Sequence, residues 1–214
     1  CTSADFTPIA RLNSDPATIA VRADSPLRTV EELIAAAKKA GAEGLRVGNA
    51  GPGSLGHLAA VSLADKVGVS FSHVPYRGAS PALLDLVGGH VEALSLTPPD
   101  IAAFVADGKV RPLAVMGEAR IGSGWEQVPT LKERGIDLVV TGWRGLAAPK
   151  GTPPEVIKVL SDAVAKAMQE PVLKQAMLKM NLKEGYLDQP EFRQVLDHDN
   201  AMYKQLINKL GLKV

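Results

Sequence analysis

An α/β fold is predicted by the alternation of short β-branched runs with helical stretches between Ala17 and about Gly117, and by helices that carry their own start signals. Strands are predicted at Ala17–Arg22, Leu45–Gly48, Ser70–Pro75, Val91–Leu96 and Val110–Met116. They are short and apolar, as strands covered on both faces of a parallel sheet must be. The helix between the first two is opened by Thr29 and Glu32 in capping-box spacing, striped by Val30, Leu33, Ile34 and Ala37, and closed by Gly41. Later helices open on Ser80-Pro81, Thr97-Pro98 and Thr152-Pro153, each with a hydroxyl at the N-cap and proline at the first helical position. Glu155 completes a second box with Thr152.

From Gly117 to Gly135, a stretch containing Ser123, Gly124, Trp125 and Pro129, no period is sustained. A long connection is predicted there, with a short helix near Thr130–Arg134. Leu138–Thr141 and Gly145–Ala148 read as strands on either side of Trp143. The remainder is helical: Pro153–Glu170, a break at Pro171, Val172–Met180, and Pro190–Leu210 capped by Asp188 and Glu191. A βα-rich first part and a helix-rich last part predict two lobes, with the chain crossing near Thr141 to Gly145.

The 214 residues, 46% of them hydrophobic, suffice for one large domain or two small lobes. With 24 Lys and Arg against 23 Asp and Glu, a net charge of +1 supplies no long-range field for nucleic acid or an anionic membrane. Partners must be recognised locally. The single cysteine, Cys1, excludes an internal disulfide, no Cys/His cluster has metal-ligand spacing, and no cofactor is implied. Cys1 is read as a cut or boundary in preference to a lipid-bearing cysteine. No apolar run approaches the ~20 residues of a membrane-spanning helix, and no signal-peptide pattern opens the chain.

Chemistry concentrates in Gly48-Asn49-Ala50-Gly51-Pro52-Gly53-Ser54-Leu55-Gly56-His57-Leu58, which leaves a strand and enters a helix. Glycines let the backbone approach a ligand, while the new helix presents unpaired N–H groups at the positive end of its dipole. An anion fits there without a nearby cation. Ser54 is placed to cap the helix and to offer its hydroxyl to the same acid group; the plainer reading is a glycine-rich turn whose Ser54 only caps. Loops from His73 to Pro81 and from Leu96 to Asp100 leave the same sheet edge, where ligands of doubly wound sheets bind. In the first of these, the Tyr76 hydroxyl and Arg77 guanidinium are candidate carboxylate contacts, and Arg77 reads equally as a solvated loop charge. His57, one turn beyond Ser54, faces either the cleft or a local contact. His73, His90 and His198 show no metal-ligand spacing.

Two enzymatic readings compete. Gly51, Gly53 and Gly56 spell GxGxxG, but about twenty residues on, where a dinucleotide site needs an acid for the ribose, stand Pro75, Tyr76 and Arg77. Ser54 as a hydrolase nucleophile lacks the glycine two residues before it, because Pro52 occupies that place.

Beyond this loop, the chain resembles the substrate-binding receptors of tripartite tricarboxylate transporters, the Bug-type or TctC-like proteins. The matching stretches are Asp5-Phe6-Thr7-Pro8, Asp24-Ser25-Pro26, Gly48 to Leu58, and His73 to Gly78. They continue with Ala114-Val115, Val128-Pro129-Thr130, Gly142-Trp143 and Ala148 to Pro153, in the expected order. The resemblance implies a two-lobed periplasmic-binding-protein fold of type II, the Venus flytrap. It also implies non-catalytic capture of a small carboxylate in the periplasm and delivery to the transporter's membrane components. On this reading residues 1–13 cross from the first lobe, 14–141 form the second, ligand-gripping lobe, and 142–214 return to the first. The gripping residues it implies are Gly48, Asn49, Ala50, Gly51, Gly53 and Ser54, bordered by Tyr76, Arg77 and Gly78 and by Thr97 and Pro98, to which the spacing from Ser54 adds His57 as a candidate.

Family members begin with a first-lobe strand and a Pro-Gly-Gly loop, so about the first third is expected to be lacking here. Leu96 and Thr97 stand where many members carry an acidic-polar pair, which disfavours an ammonium-bearing ligand. Without that first third the helices of 153–210 are expected to expose apolar stripes, and the chain either to self-associate through them or to rearrange its C-terminal helices. A non-binding fragment is the alternative reading.

Overall fold

A computed structural model describes residues 3–122, 124–180, 182–209 and 211. The expectations placed on Cys1, Ser123 and Leu210 lie outside them. Residues 15–142 form one compact unit, and the residues before and after them form a second.

In the 15–142 unit, helix α1 (Val30–Ala40) begins as its sequence asks. Thr29 is extended at the N-cap and its hydroxyl accepts the Glu32 N–H, while the Glu32 carboxylate accepts the Thr29 N–H at 3.2 Å. Val30, Leu33 and Ala37 are buried, and Gly41 ends the helix at φ 63°. Strands β2 (Thr18–Arg22), β3 (Leu45–Asn49), β4 (Phe71–Pro75), β5 (Ala93–Leu96) and β6 (Val110–Val115) form a five-stranded sheet in the order β4-β3-β5-β2-β6. One face packs Ile19, Val21, Val47 and Ala93 against α1 and α2 (Leu55–Val67). The other packs Ala20, Leu94 and Leu96 against α3 (Ala79–Val87) and α4 (Pro98–Ala106).

The sheet departs from the expected all-parallel pattern. β3 runs parallel to β4 and β5, but β2 is antiparallel to both β5 and β6. A short apolar run reads the same in either direction, so burial on both faces carries no information about strand sense. The three loops that follow β3, β4 and β5 do leave one edge. The register aligns Asn49 with Pro75 and the start of β2, Thr18, with Leu96, so the incoming strand reaches the sheet at that same edge.

Several boundaries move for identifiable reasons. α3 starts at Ala79 with Gly78 (φ 103°) as its N-cap and no side-chain cap, so Pro81 sits inside the first turn, where no N–H is required. Thr152 does not cap α5 (Pro154–Ala167): its hydroxyl donates to the Pro149 carbonyl at 2.8 Å, and Pro153 takes the N-cap position. The expected box with Glu155 is replaced by that turn. Near Thr130 only a 3₁₀ turn, Lys132–Arg134, forms, with Thr130 and Glu133 bonding reciprocally. The strands expected on either side of Trp143 are one strand, β7 (Thr141–Pro149), which includes it. Residues 138–140 lie before it, where Val140 exchanges backbone bonds with Ala17 and Met116.

In the second unit β7 joins β1 (Phe6–Pro16) and β8 (Glu184–Leu187) in the order β7-β1-β8. Sequence reading passed over both β1 and β8, since Pro8, Asn13, Asp15 and Pro16 interrupt any alternation and β8 is four residues long. Helices α5, α6 (Pro171–Lys179) and α7 (Gln189–Lys209) complete it; Pro171 begins α6, and Asp188 and Glu191 cap α7 as expected. Phe192 meets Trp143 edge-on at 4.8 Å between ring centroids, and a Cβ on Gly145 would stand 2.5 Å from the Phe192 ring. The Trp143 indole donates to Asp199 at 2.7 Å. Ile157 on α5 turns inward, whereas Val156, Val159 and Leu160 stay exposed.

Gly56, in the first turn of α2, lies so close to β5 that an added Cβ would stand 1.9 Å from the Ser95 carbonyl oxygen, a backbone atom that cannot swing away. Gly56→Ala is therefore expected to lower the urea unfolding free energy by at least about 1–3 kcal/mol through overpacking. An unchanged unfolding midpoint would show that α2 does not need this approach.

Candidate functional site

The loop between β3 and α2 is built on Asn49, which is wholly buried at the end of β3. Its side-chain Oδ1 accepts the Gly51 N–H at 3.0 Å, and its backbone carbonyl accepts the Tyr76 N–H at 3.0 Å. Gly51, at φ 125°, passes its own carbonyl to the Ser54 N–H at 3.1 Å. Gly53, at φ 74°, donates its N–H to His57 Nδ1 at 3.1 Å. Both glycines occupy backbone conformations that side-chain-bearing residues rarely adopt. Gly48 is glycine for space: a Cβ there would come within 2.6 Å of Leu94 and 3.1 Å of the Tyr76 ring.

Ser54 is the N-cap of α2, its Oγ accepting the His57 N–H at 3.3 Å and its carbonyl accepting the Leu58 N–H at 3.0 Å. The first-turn amides of Ser54 and His57 are thus already engaged, contrary to a uniformly open helix start. Those of Leu55 and Gly56 are not: among the described residues neither finds an acceptor. Leu55 itself packs on Gly142, where an added Cβ would lie 2.9 Å from Leu55 Cδ2. Two N–H groups at the positive end of a 13-residue helix form a place for an acid oxygen. On the sheet beneath α2, Asn49 Nδ2 and Ser95 Oγ are buried with no hydrogen-bond partner among the described residues. Asn49 and Ser95 follow the paired residues Gly48 and Leu94 on adjacent parallel strands, so both belong to the α2 face of the sheet.

The remaining candidates divide. Arg77 is exposed at the end of β4, with no carboxylate partner among the described residues. The Tyr76 hydroxyl is not free to contact a ligand carboxylate as expected: it donates to Asp85 on α3 at 2.7 Å, and burial followed by that bond pushes the phenol up to about 12. Thr97 spends its hydroxyl proton on Asp100 at 2.6 Å, which also accepts the Thr97 N–H at 3.0 Å, and Pro98 begins α4 with no N–H to offer. Ala50 packs beside Tyr76 on the α3 face, and Gly78 caps α3. Ser54 Oγ is bonded to a backbone amide and His57 Nδ1 to Gly53, so the pair is not arranged as nucleophile and base. Sequence reading missed Asp85, because the partner of a strand-end tyrosine nine residues away has no local signature. It also set aside His73, whose ring meets His57 at 5.0 Å. Among the described residues no group of acidic, histidine or cysteine side chains is placed to hold a metal.

Tyr76→Phe is expected to cost about 1 kcal/mol of stability by orphaning Asp85's acceptor. Folding raises the phenol's pKa from 10.0 to about 12, so the stability carried by its neutral form is full below pH 10 and disappears as pH rises through 12. Alkaline unfolding curves of the variant should lack that component; curves identical to wild type would refute the bond to Asp85.

The model of the tripartite tricarboxylate transporter family receptor matches residues 2–212. A UPF0065 protein encoded in the gbd 5′ region of Cupriavidus necator is 41% identical over 194 residues, covering 91% of this chain and 58% of that protein. The crystal structure of a TctC solute-binding protein from Polaromonas, without ligand, superposes with a TM-score of 0.83 at 52% identity, over 96% of this chain and 70% of that one. An R. palustris protein solved with adipate superposes at 0.85 with 26% identity, over 98% and 70%. The chain spans about half the length of the curated relatives it matches. By sequence and by fold, it belongs to the tripartite tricarboxylate transporter family of receptors.

Proposed function

We propose that this chain captures a small di- or tricarboxylate, or an aromatic acid, in the periplasm and presents it to the membrane components of a tripartite tricarboxylate transporter, without catalysing a reaction. The observation that carries this reading is the pair of unengaged amides at Leu55 and Gly56, set at the sheet edge where the β3, β4 and β5 loops emerge. One carboxylate oxygen takes those N–H groups, Asn49 Nδ2 lies on the sheet beneath α2, and the exposed Arg77 supplies a cation at the rim. The remaining residues of 48–57 hold the loop in shape. Family and fold are those of periplasmic binding receptors, and the adipate held by the R. palustris relative favours a dicarboxylic acid. No helix among the described residues is long and apolar enough to cross a membrane.

Self-association through α5 belongs to the same reading. Val156, Val159, Leu160 and Ala163 recur at helical spacing along an exposed stripe, which suits a helix of a second copy. Size-exclusion chromatography with light scattering is expected to report a dimer or larger, and a monomer at all concentrations would remove this part.

Adipate at one hundred times its dissociation constant should raise unfolding free energy by about 2.7 kcal/mol. Leu55→Pro deletes one of the two amides at a helix position that tolerates proline, after a residue already extended at ψ 158°. It should weaken binding roughly tenfold to a hundredfold, the worth of one hydrogen bond to a charged group. A calorimetric panel in which carboxylates fail and nucleotides bind would defeat the proposal.

A further inference from the structure

His57 holds the Gly53 amide, and among the described residues its ring is shifted by burial alone, with no ion-pair partner. His73, on β4, presents its ring edge-on to His57 at 5.0 Å between centroids and 79° between planes. Its Nδ1 is buried with no hydrogen-bond partner among the described residues. On the same sheet face, α1 carries Glu31, Glu32, Lys38 and Lys39, all exposed and off its buried stripe of Val30, Leu33 and Ala37. β5 (Ala93–Leu96) has no titratable residue, and the single charge on β3, Arg46, belongs to the opposite face of the sheet and is ion-paired to Glu92. Residues 50–56 and 141–142 carry none, and on α2 itself Asp65 and Lys66 lie two turns away.

We propose that His57 and His73 form a proton-sensitive clasp on the glycine loop, in which neutral His57 positions Gly53 through its Nδ1 lone pair and His73, packed edge-on against it, stays neutral when His57 takes a proton. The proton balance is simple. A proton arriving at His57 Nδ1 occupies the lone pair that the Gly53 N–H uses; two donors then face each other and the Gly53–His57 bond is lost. A second positive charge cannot form on His73 beside the first without repulsion, so the pair takes up one proton at a time. Burial lowers the pKa of both rings from the ordinary 6.5, and His57 lowers that of His73 further. The sign follows: the neutral pair contributes stability above pH 6.5, and that contribution is lost as pH falls through the lowered folded values. Gly53, at φ 74°, has no other side-chain anchor among the described residues, so its release opens the loop directly before the α2 N-cap.

The clasp itself requires no ligand. Its consequence, a receptor whose acid-binding loop loosens in mildly acidic surroundings, rests on the function proposed above. NMR of the ligand-free full chain between pH 4 and 8 reads the clasp alone. The Gly53 amide shift should follow the His57 ring titration with a midpoint below 6.5. Below that midpoint its exchange, corrected for intrinsic pH dependence, should accelerate at least about tenfold. His57→Asn keeps an acceptor near the Nδ1 position but cannot titrate, so its Gly53 amide should stay protected and pH-invariant, while the His73 midpoint rises. His73→Phe keeps a ring against His57 and removes the second titrating site, so the Gly53 amide should still follow His57, now as a single one-proton transition. A Gly53 amide that ignores His57's titration, or that titrates unchanged in His57→Asn, would overturn the proposal. Failure of adipate to bind would leave these readouts intact and would count only against the receptor reading.

Discussion

The close approach of the α2 first turn to the end of β5 is the constraint from which the rest of the site follows. Only glycine at 56 lets the backbone lie against the Ser95 carbonyl, and that approach sets the Leu55 and Gly56 amides over the ends of three parallel strands. A residue with a side chain would lift the helix start away from the sheet. The amides would then meet solvent, where water competes for them and their dipole is screened.

Around those two amides the loop is largely self-sufficient. Asn49, the Gly51 carbonyl, Ser54 Oγ and His57 Nδ1 each absorb a donor that would otherwise have to be hydrated. Such pre-organisation lowers the ordering cost of binding, since little of the loop remains to be fixed when an anion arrives. It also keeps Ser54 and His57 from pairing as nucleophile and base: they are neighbours in a hydrogen-bonded cap, each with its reactive atom turned to a backbone amide. Under the proposed function a carboxylate needs only to be held there, and two N–H groups at a helix start can do that with Arg77 at the rim.

Polar satisfaction also explains which expected contacts withdrew. Tyr76 lies over Gly48, so its hydroxyl is carried to the α3 face, where Asp85 meets it. Thr97 is drawn to Asp100 by the capping geometry of α4. Arg77 has no such acceptor among the described residues and stays exposed beyond the end of β4. In the other unit, Trp143 and Phe192 bring α7 against β7, and Gly145 makes room for the contact.

Local chemistry was legible in the sequence by itself. The Thr29–Glu32 box, the Ser54 and Asp188 caps, the stripe of α1 and the glycine loop all depend on residues within four positions of one another, where side chain and backbone must meet whatever the rest of the chain does. The family resemblance rested on the order of such segments. What only the tertiary structure decided involves partners distant in the chain or ambiguous in direction: the reversed sense of β2, the pairing of β8 with β1, and the Cβ-forbidding contact at Gly56. Asp85's claim on Tyr76 and the meeting of His57 with His73 belong to the same class. Periodicity reports which face of a segment is buried, but not what lies across from it, because that depends on register and strand sense that apolar spacing does not encode.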